Sequence, residues 1–415
     1  MNKTDWDVKT KMPNGKTKII SVNPREANLK RKLREHLQSL GFTKSAGGAL
    51  QAPGNTKDAI RSLHRAQRDE RLLASQKLVS LKREKLMHFF ASGKDVEVDK
   101  ISPVLERISA GTWQSDLFRL ATLSWSVPVS SGFGRRIRYL VWDESNGKLM
   151  GLIAIGDPVF NLGVRDKFIG WDTNDRSARL VNLMDAYVLG ALPPYNLLLG
   201  GKLIACLLRS RDLYHDFSNT YGNTTGVISG VEKKANLLAI TTTSSMGRSS
   251  VYNRLKLNGT QYLQPIGYTG GWGHFHIPEW LFAELRDYLR DIDHSYADQY
   301  EFGQGPNWRL RTTRAALSAL GFKDDMMRHG IQREVFISQL AENTRKILQT
   351  GKGRPDLTSL LSAKDIAEQA VSRWILPRSR SRSEFRYWES SNLIEAFGSN
   401  AQILSDQVVN AKAVV

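Results

Sequence analysis

Cysteine is almost missing from this chain. One thiol, Cys206, among 415 residues excludes an internal disulfide and a cysteine-rich zinc site. Lying in an apolar run, it reads as a small buried hydrophobe. Long apolar stretches are missing too. No run approaches the ~20 residues that cross a bilayer. The opening Met1-Asn2-Lys3-Thr4-Asp5-Trp6-Asp7 lacks the apolar centre of a signal peptide, so the expected compartment is the cytoplasm. Acid is in deficit: 41 Asp+Glu face 59 Lys+Arg, a net charge of +18. Residues 1–100 hold 22 Lys+Arg against 11 Asp+Glu, and so supply +11 of it. Such a field suits a polyanion, of which nucleic acid is the common one; the plainer reading is a solvated basic surface.

What is present is an ordinary globular composition, 41% apolar and 24% charged, long enough for two or three domains. The expected fold class is α+β. Residues 1–22 form a flexible N-terminus, 23–99 a basic helical domain, and 100–306 a mixed-sheet core with flanking helices. Residues 307–398 form a C-terminal helical region, and 399–415 a tail. Asn23-Pro24-Arg25-Glu26 starts a helix, with Asn as cap and Pro at the first position. Leu29, Leu33, Leu37 and Leu40 face inward on it; Lys30, Arg31, Lys32 and Arg34 lie around the other side. Thr56 caps a second helix, read as Lys57 to Ala91, bearing Lys57, Arg61, Arg65 and Arg68. Arg373, Arg378, Arg380, Arg382 and Arg386 gather among Trp374, Phe385, Tyr387 and Trp388. There they either grip a nucleic-acid backbone beside stacked bases or snorkel over a core. Lysines and arginines in these positions support phosphate contact, with no base reading assignable.

In the core, residues 101–122 read as a helix. Arg135–Asp143 and Lys148–Ile155 read as strands joined by the hairpin turn Asn146-Gly147. Thr173 to Met184 reads as a helix after Gly170-Trp171-Asp172, with strands at 187–191, 237–243 and 262–268 and an edge strand at His274-Phe275-His276. A helix opens at Pro278-Glu279, and another is expected from His329 to about Gln349. The focal stretch is Pro193-Pro194-Tyr195-Asn196-Leu197-Leu198-Leu199-Gly200-Gly201-Lys202. Glycines at a turn into a helix let the backbone approach a partner closely, and the helix's first N–H groups favour an anion. Tyr195, Asn196, Gly200, Gly201 and Lys202 are therefore a candidate cofactor-binding set; the alternative is close packing alone. The stretch lacks the first Gly and the hydroxyl of a P-loop. Two histidines at 274 and 276 lack a third metal ligand. The acidic pairs Asp291/Asp293 and Asp324/Asp325 read as caps or solvated groups.

The element order resembles the acyl-CoA N-acyltransferase layout. That resemblance implies a phosphate role for Gly200 and Gly201 and an acid role for Tyr252, although Leu198 stands where that layout has its first glycine. A closer resemblance rests on four motifs: Gly170-Trp171-Asp172, the Pro193 to Leu203 block, Arg333-Glu334-Val335-Phe336, and Arg373-Trp374 with Pro377-Arg378. Together they resemble the DruA family of Druantia anti-phage defence systems, over roughly Pro24 to Phe397. The resemblance implies a bacterial defence role beside partner proteins, including a helicase, and supplies no catalytic residue. The functional expectation is a DNA-binding defence component with the sheet as ligand or assembly module. The alternatives are an acyltransferase-like enzyme and a metal-dependent nuclease.

Overall fold

A computed structural model describes residues 6–11, 17–46, 50–130, 132–225, 230, 232–298, 306–394 and 396–397. The chain groups into two compact units. The first comprises Met1–Gln67 with Gly270–Ile331, the second Arg68–Thr269 with Gln332–Val415.

In the first unit, helix α1 (Pro24–Ser39) starts as its sequence demands. Asn23 Oδ1 accepts the N–H groups of Arg25 and Glu26, and Leu29, Leu33 and Leu37 are buried four residues apart. The left-handed Gly41 follows (φ +87°), and a small hairpin pairs Thr43–Lys44 with Leu50–Gln51. Helices Glu279–Asp291 and Pro306–Ala319 also belong to this unit. His274–His276 is a turn rather than an edge strand.

The long helix expected from 57 to 91 is three: α2 (Lys57–Leu63), α3 (Arg65–Ala74) and α4 (Gln76–Met87). On one straight helix Leu72 would point about 120° away from Ile60 and Leu78. All three are buried, and the breaks at His64 and Ser75 allow it.

The second unit is built on one eight-stranded sheet. Its strands are β1 (Pro103–Ile108), β2 (Arg136–Asp143), β3 (Lys148–Gly156), β4 (Leu183–Ala191), β5 (Ala239–Thr243), β6 (Leu255–Leu257), β7 (Thr260–Tyr268) and β8 (Glu334–Gln339). They lie in the order β6-β7-β8-β5-β4-β3-β2-β1. Only β4 and β5 run parallel, and they pair over three residues, Leu183–Asp185 with Ala239–Thr241. Helices α5 (Gly200–Cys206) and α6 (Arg211–Tyr221) form that crossover, as parallel strands require. Alternation along β2 sends Ile137, Tyr139 and Val141 into one core and Leu140 into the other, so helices cover both faces. The first core takes α5 and α7 (Ala363–Ala370); the second takes α4 and helix Trp113–Thr122. Beyond α7 a π-helical turn, Val371–Ile375, runs into α8 (Leu376–Ser381).

Two stretches read as helix are strands. Residues 103–108 pair with β2, since six residues are too few to tell one period from the other until a neighbour chooses. Residues 334–339 lie between β5 and β7, and the continuous run Val335-Phe336-Ile337 suits a strand buried on both faces. β8 therefore joins the sheet from beyond residue 306, where composition had ended the core. The helix expected to reach Met184 stops at Arg179, and β4 begins at Leu183.

Candidate nucleic-acid interface

The focal turn closes on itself. Leu197, Leu198, Leu199 and Gly200 donate their N–H groups to the carbonyls of Pro194, Tyr195, Asn196 and Tyr195. Lys202 N–H goes to Leu199 O, 2.9 Å. Tyr195 is the anchor. Fully buried, its hydroxyl donates to Asp143 Oδ2 (2.9 Å), and Asn146 Nδ2 donates to it (2.9 Å). Burial and the Asp143 carboxylate push the Tyr195 pKa well above that of an ordinary phenol. Gly200 is required by space: a Cβ there would sit 2.7 Å from Tyr195 O. At Gly201 it would meet Val251 at 3.3 Å. Asn196 is exposed. Tyr252 is half-buried by surface, and its hydroxyl donates to Leu189 O, 2.8 Å; burial raises its pKa.

Lys202 differs from its neighbours in the turn. Its ammonium lies over the Trp374 ring, 5.4 Å from the centroid. Burial holds its pKa below the ordinary lysine value, and Arg373 pushes the same way. Two cations therefore share one locality. Arg378 Nε donates to Leu197 O at 3.3 Å, tying α8 to the exit of the turn. The next segment is pinned by Phe385, 1% exposed, and by Gly93 N–H donating to Trp388 O, 2.7 Å. Arg386 covers the Phe385 ring, and Tyr387 stands 80% exposed. Arg382 pairs with Glu384 at 3.1 Å. Among the described residues, Lys202, Arg373, Arg378, Arg380 and Arg386 have no carboxylate within ion-pair distance.

The remaining expected cations fare differently. On α1, Lys30 pairs with Glu26, Arg31 with Glu35 (2.8 Å), and Lys32 with Glu284 (2.6 Å). Arg34 lies over the Phe322 ring, and Arg25, in the first turn of the helix, pairs with Asp291. Arg61 pairs with Asp58. Lys57 and Arg65 are exposed. Arg68, in the second unit, is half-buried, with Nη2 donating to Ala396 O (3.4 Å) and Nε buried without a partner. The set chosen for nucleic acid thus divides between the units. The feature sequence reading missed is the meeting of Lys202 with Trp374 and Arg373, and of the turn with Arg378. No local signal joins residues some 170 apart.

Other candidates are placed plainly. His276 is 2% exposed with Nε2 at 3.0 Å from Met326 O. Among the described residues no three His, Cys, Asp or Glu side chains gather as a metal-holding group. The Asp324 and Asp325 side chains lie outside those described. Among the described residues no helix is long and apolar enough to cross a membrane.

Residues 54–350 match the model of the family described as "Druantia protein DruA". The chain is 72% identical over 400 residues to Druantia protein DruA of Escherichia coli (strain UMEA 4076-1), covering 96% of this chain and 98% of that protein. The chain belongs to the DruA family. No solved structure matches it. The DruA match takes in the focal turn, Lys202, the sheet and β8, while the 373–387 arginines follow it in the chain.

Proposed function

We propose that this protein serves its defence system by holding a nucleic-acid backbone on the second unit, at Lys202, Arg373, Arg378, Arg380 and Arg386. As a DruA protein it is a component of a Druantia anti-phage defence system. The observation that carries the DNA reading is that Lys202, Arg373 and Arg378 border one turn with no ion pair among the described residues, while Arg380, Arg386 and the exposed Tyr387 ring follow in the same segment of the chain. Lysine and arginine supply phosphate affinity, and an exposed aromatic supplies a stacking platform that tolerates any base. The α1 cations contribute less, because Glu26, Glu35 and Glu284 already offset their charge. Other proteins of the same system, a helicase among them, are its proposed partners, and the cytoplasm is its proposed compartment. Binding of a labelled duplex and a labelled single strand at low salt tests the reading. The triple variant Arg373→Ala, Arg378→Ala, Arg380→Ala should lose most of the affinity; equal binding by wild type and variant would sink the proposal.

Acyl transfer is the second reading. The sheet order, with its single short parallel step bridged by α5 and α6, supports the acyltransferase-like layout. Against cofactor use, the turn's N–H groups are largely taken and a Cβ at Gly200 has no room. A rise in melting temperature with acetyl-CoA, lost in Gly201→Val, would favour this enzyme. For a nuclease, the remaining support is the acidic pairs, and Asp291 is held by Arg25.

A further inference from the structure

β1 ends the sheet, and among the described residues no strand neighbours its outer edge. The ladder's phase is set where Glu144 N–H donates to Ser102 O, 2.9 Å. Alternation from that pair, with no bulge before Ile108, turns the main-chain groups of Leu105 and Arg107 away from β2. No main-chain or side-chain hydrogen bond reaches those groups from other described residues. They open onto a cleft of about 950 Å³. α7 and the π-helical turn also line it, with Ala363, Ala367 and Val371 at intervals of four. Small side chains there let α7 pack close to β1.

The gap is a built feature. Tyr139, 1% exposed, donates its hydroxyl to Asp216 Oδ2 at 2.8 Å, linking β2 to α6. Arg107 reaches Asp216 Oδ1 at 3.8 Å, and Asp212 Oδ2 accepts the Ala363 N–H at 2.6 Å, linking α6 to α7. β1, β2, α6 and α7 are thus tied together around the cleft by groups already satisfied. The charge is also distinctive. In a chain of net +18, this cleft is lined by Glu144, Asp212, Asp216 and Glu368 against Arg107 and Lys364. Glu144 and Glu368 have no cationic partner among the described residues.

We propose that this cleft takes one extended segment of a partner protein, carrying lysine or arginine, as a ninth strand on β1. An added strand uses the free N–H and C=O groups for affinity and the flanking carboxylates for selection. The segment's alternate side chains face Glu144 and Glu368 on the open side.

The test uses the full chain and two labelled peptides, acetyl-Lys-Val-Lys-Val-Lys-Val-Lys-amide and its glutamate counterpart. Saturable binding of the lysine peptide alone is expected, with slowed hydrogen exchange at the Leu105 and Arg107 amides. Ala367→Trp fills the cleft, and Leu105→Pro removes an outward N–H while leaving the β1–β2 ladder's donors. Each should weaken binding at least tenfold, with far-UV circular dichroism unchanged for Ala367→Trp. Both variants should bind nucleic acid as wild type does, so failure here is separable from failure of the DNA reading. Three results overturn the proposal: no binding of the lysine peptide, binding without protection on β1, or binding unchanged by Ala367→Trp. Self-association of the protein abolished by Ala367→Trp would assign the edge to a second copy, and so overturn it as well.

Discussion

The salt dependence of DNA binding tests the assigned surface most sharply. Each phosphate contact on duplex DNA releases counterions, and log Kobs falls with log[salt] by about 0.9 per contact. If Lys202, Arg373, Arg378, Arg380 and Arg386 each meet one phosphate, the slope is about −4.5. Between 50 and 200 mM salt the affinity then falls about 500-fold. The double variant Arg373→Ala, Arg386→Ala leaves three contacts, a slope of about −2.7 and a loss of about 40-fold over the same range. These side chains have no carboxylate to release, so their removal changes phosphate contact without exposing a stranded acid. On α1, Lys30→Ala with Arg31→Ala removes cations paired to Glu26 and Glu35, and the slope should stay near that of the wild type. Fluorescence anisotropy over five salt concentrations reads all three slopes. A slope that drops in the α1 variant and holds in the Arg373/Arg386 variant refutes the reasoning, since it would place the contacts on the first unit.

Three further outcomes follow from the packing. Burial lowers the His276 pKa to about 4, against an unfolded value near 6.5. Its contribution to stability is complete above pH 6.5 and is lost as pH falls towards 4, by about 2 kcal/mol at pH 5. Hydrogen exchange in the 274–277 turn at pH 7 and pH 5 should show the loss, and His276→Gln should flatten it. Gly200→Val forces a side chain against Tyr195 O, where a Cβ already lies at 2.7 Å. A cost of roughly 1–3 kcal/mol, seen in denaturant unfolding, is expected. Tyr195→Phe strips a hydroxyl from the fully buried Asp143 and from Asn146. It should destabilise by about 1–3 kcal/mol while leaving the salt slope unchanged, and an altered slope would mean the turn itself touches DNA.

Local chemistry was legible from residues alone. The Asn23 cap and the Asn146-Gly147 hairpin both stand where short-range rules put them. So do the buried Cys206 and the helix after Gly200. Each depends on neighbours within a few residues. Residues 103–108 and 334–339 misread as helix because a six-residue stretch carries no unambiguous period until a paired strand selects one. Of the candidate site, the residue types were visible and their grouping was not. Lys202 and Arg378 were assigned to different roles, yet both border the turn and α8 region of the second unit.

Composition and local pattern by themselves determined a basic α+β chain, its caps, its hairpin and its focal turn, since those depend on charge totals and on contacts close in sequence. Only the tertiary structure decided which cations keep a free charge. Glu284 reaches Lys32 and Trp374 lies beneath Lys202 through packing between distant segments. A side chain's partner is set by where its element docks, and that depends on the whole buried core rather than on any run of residues.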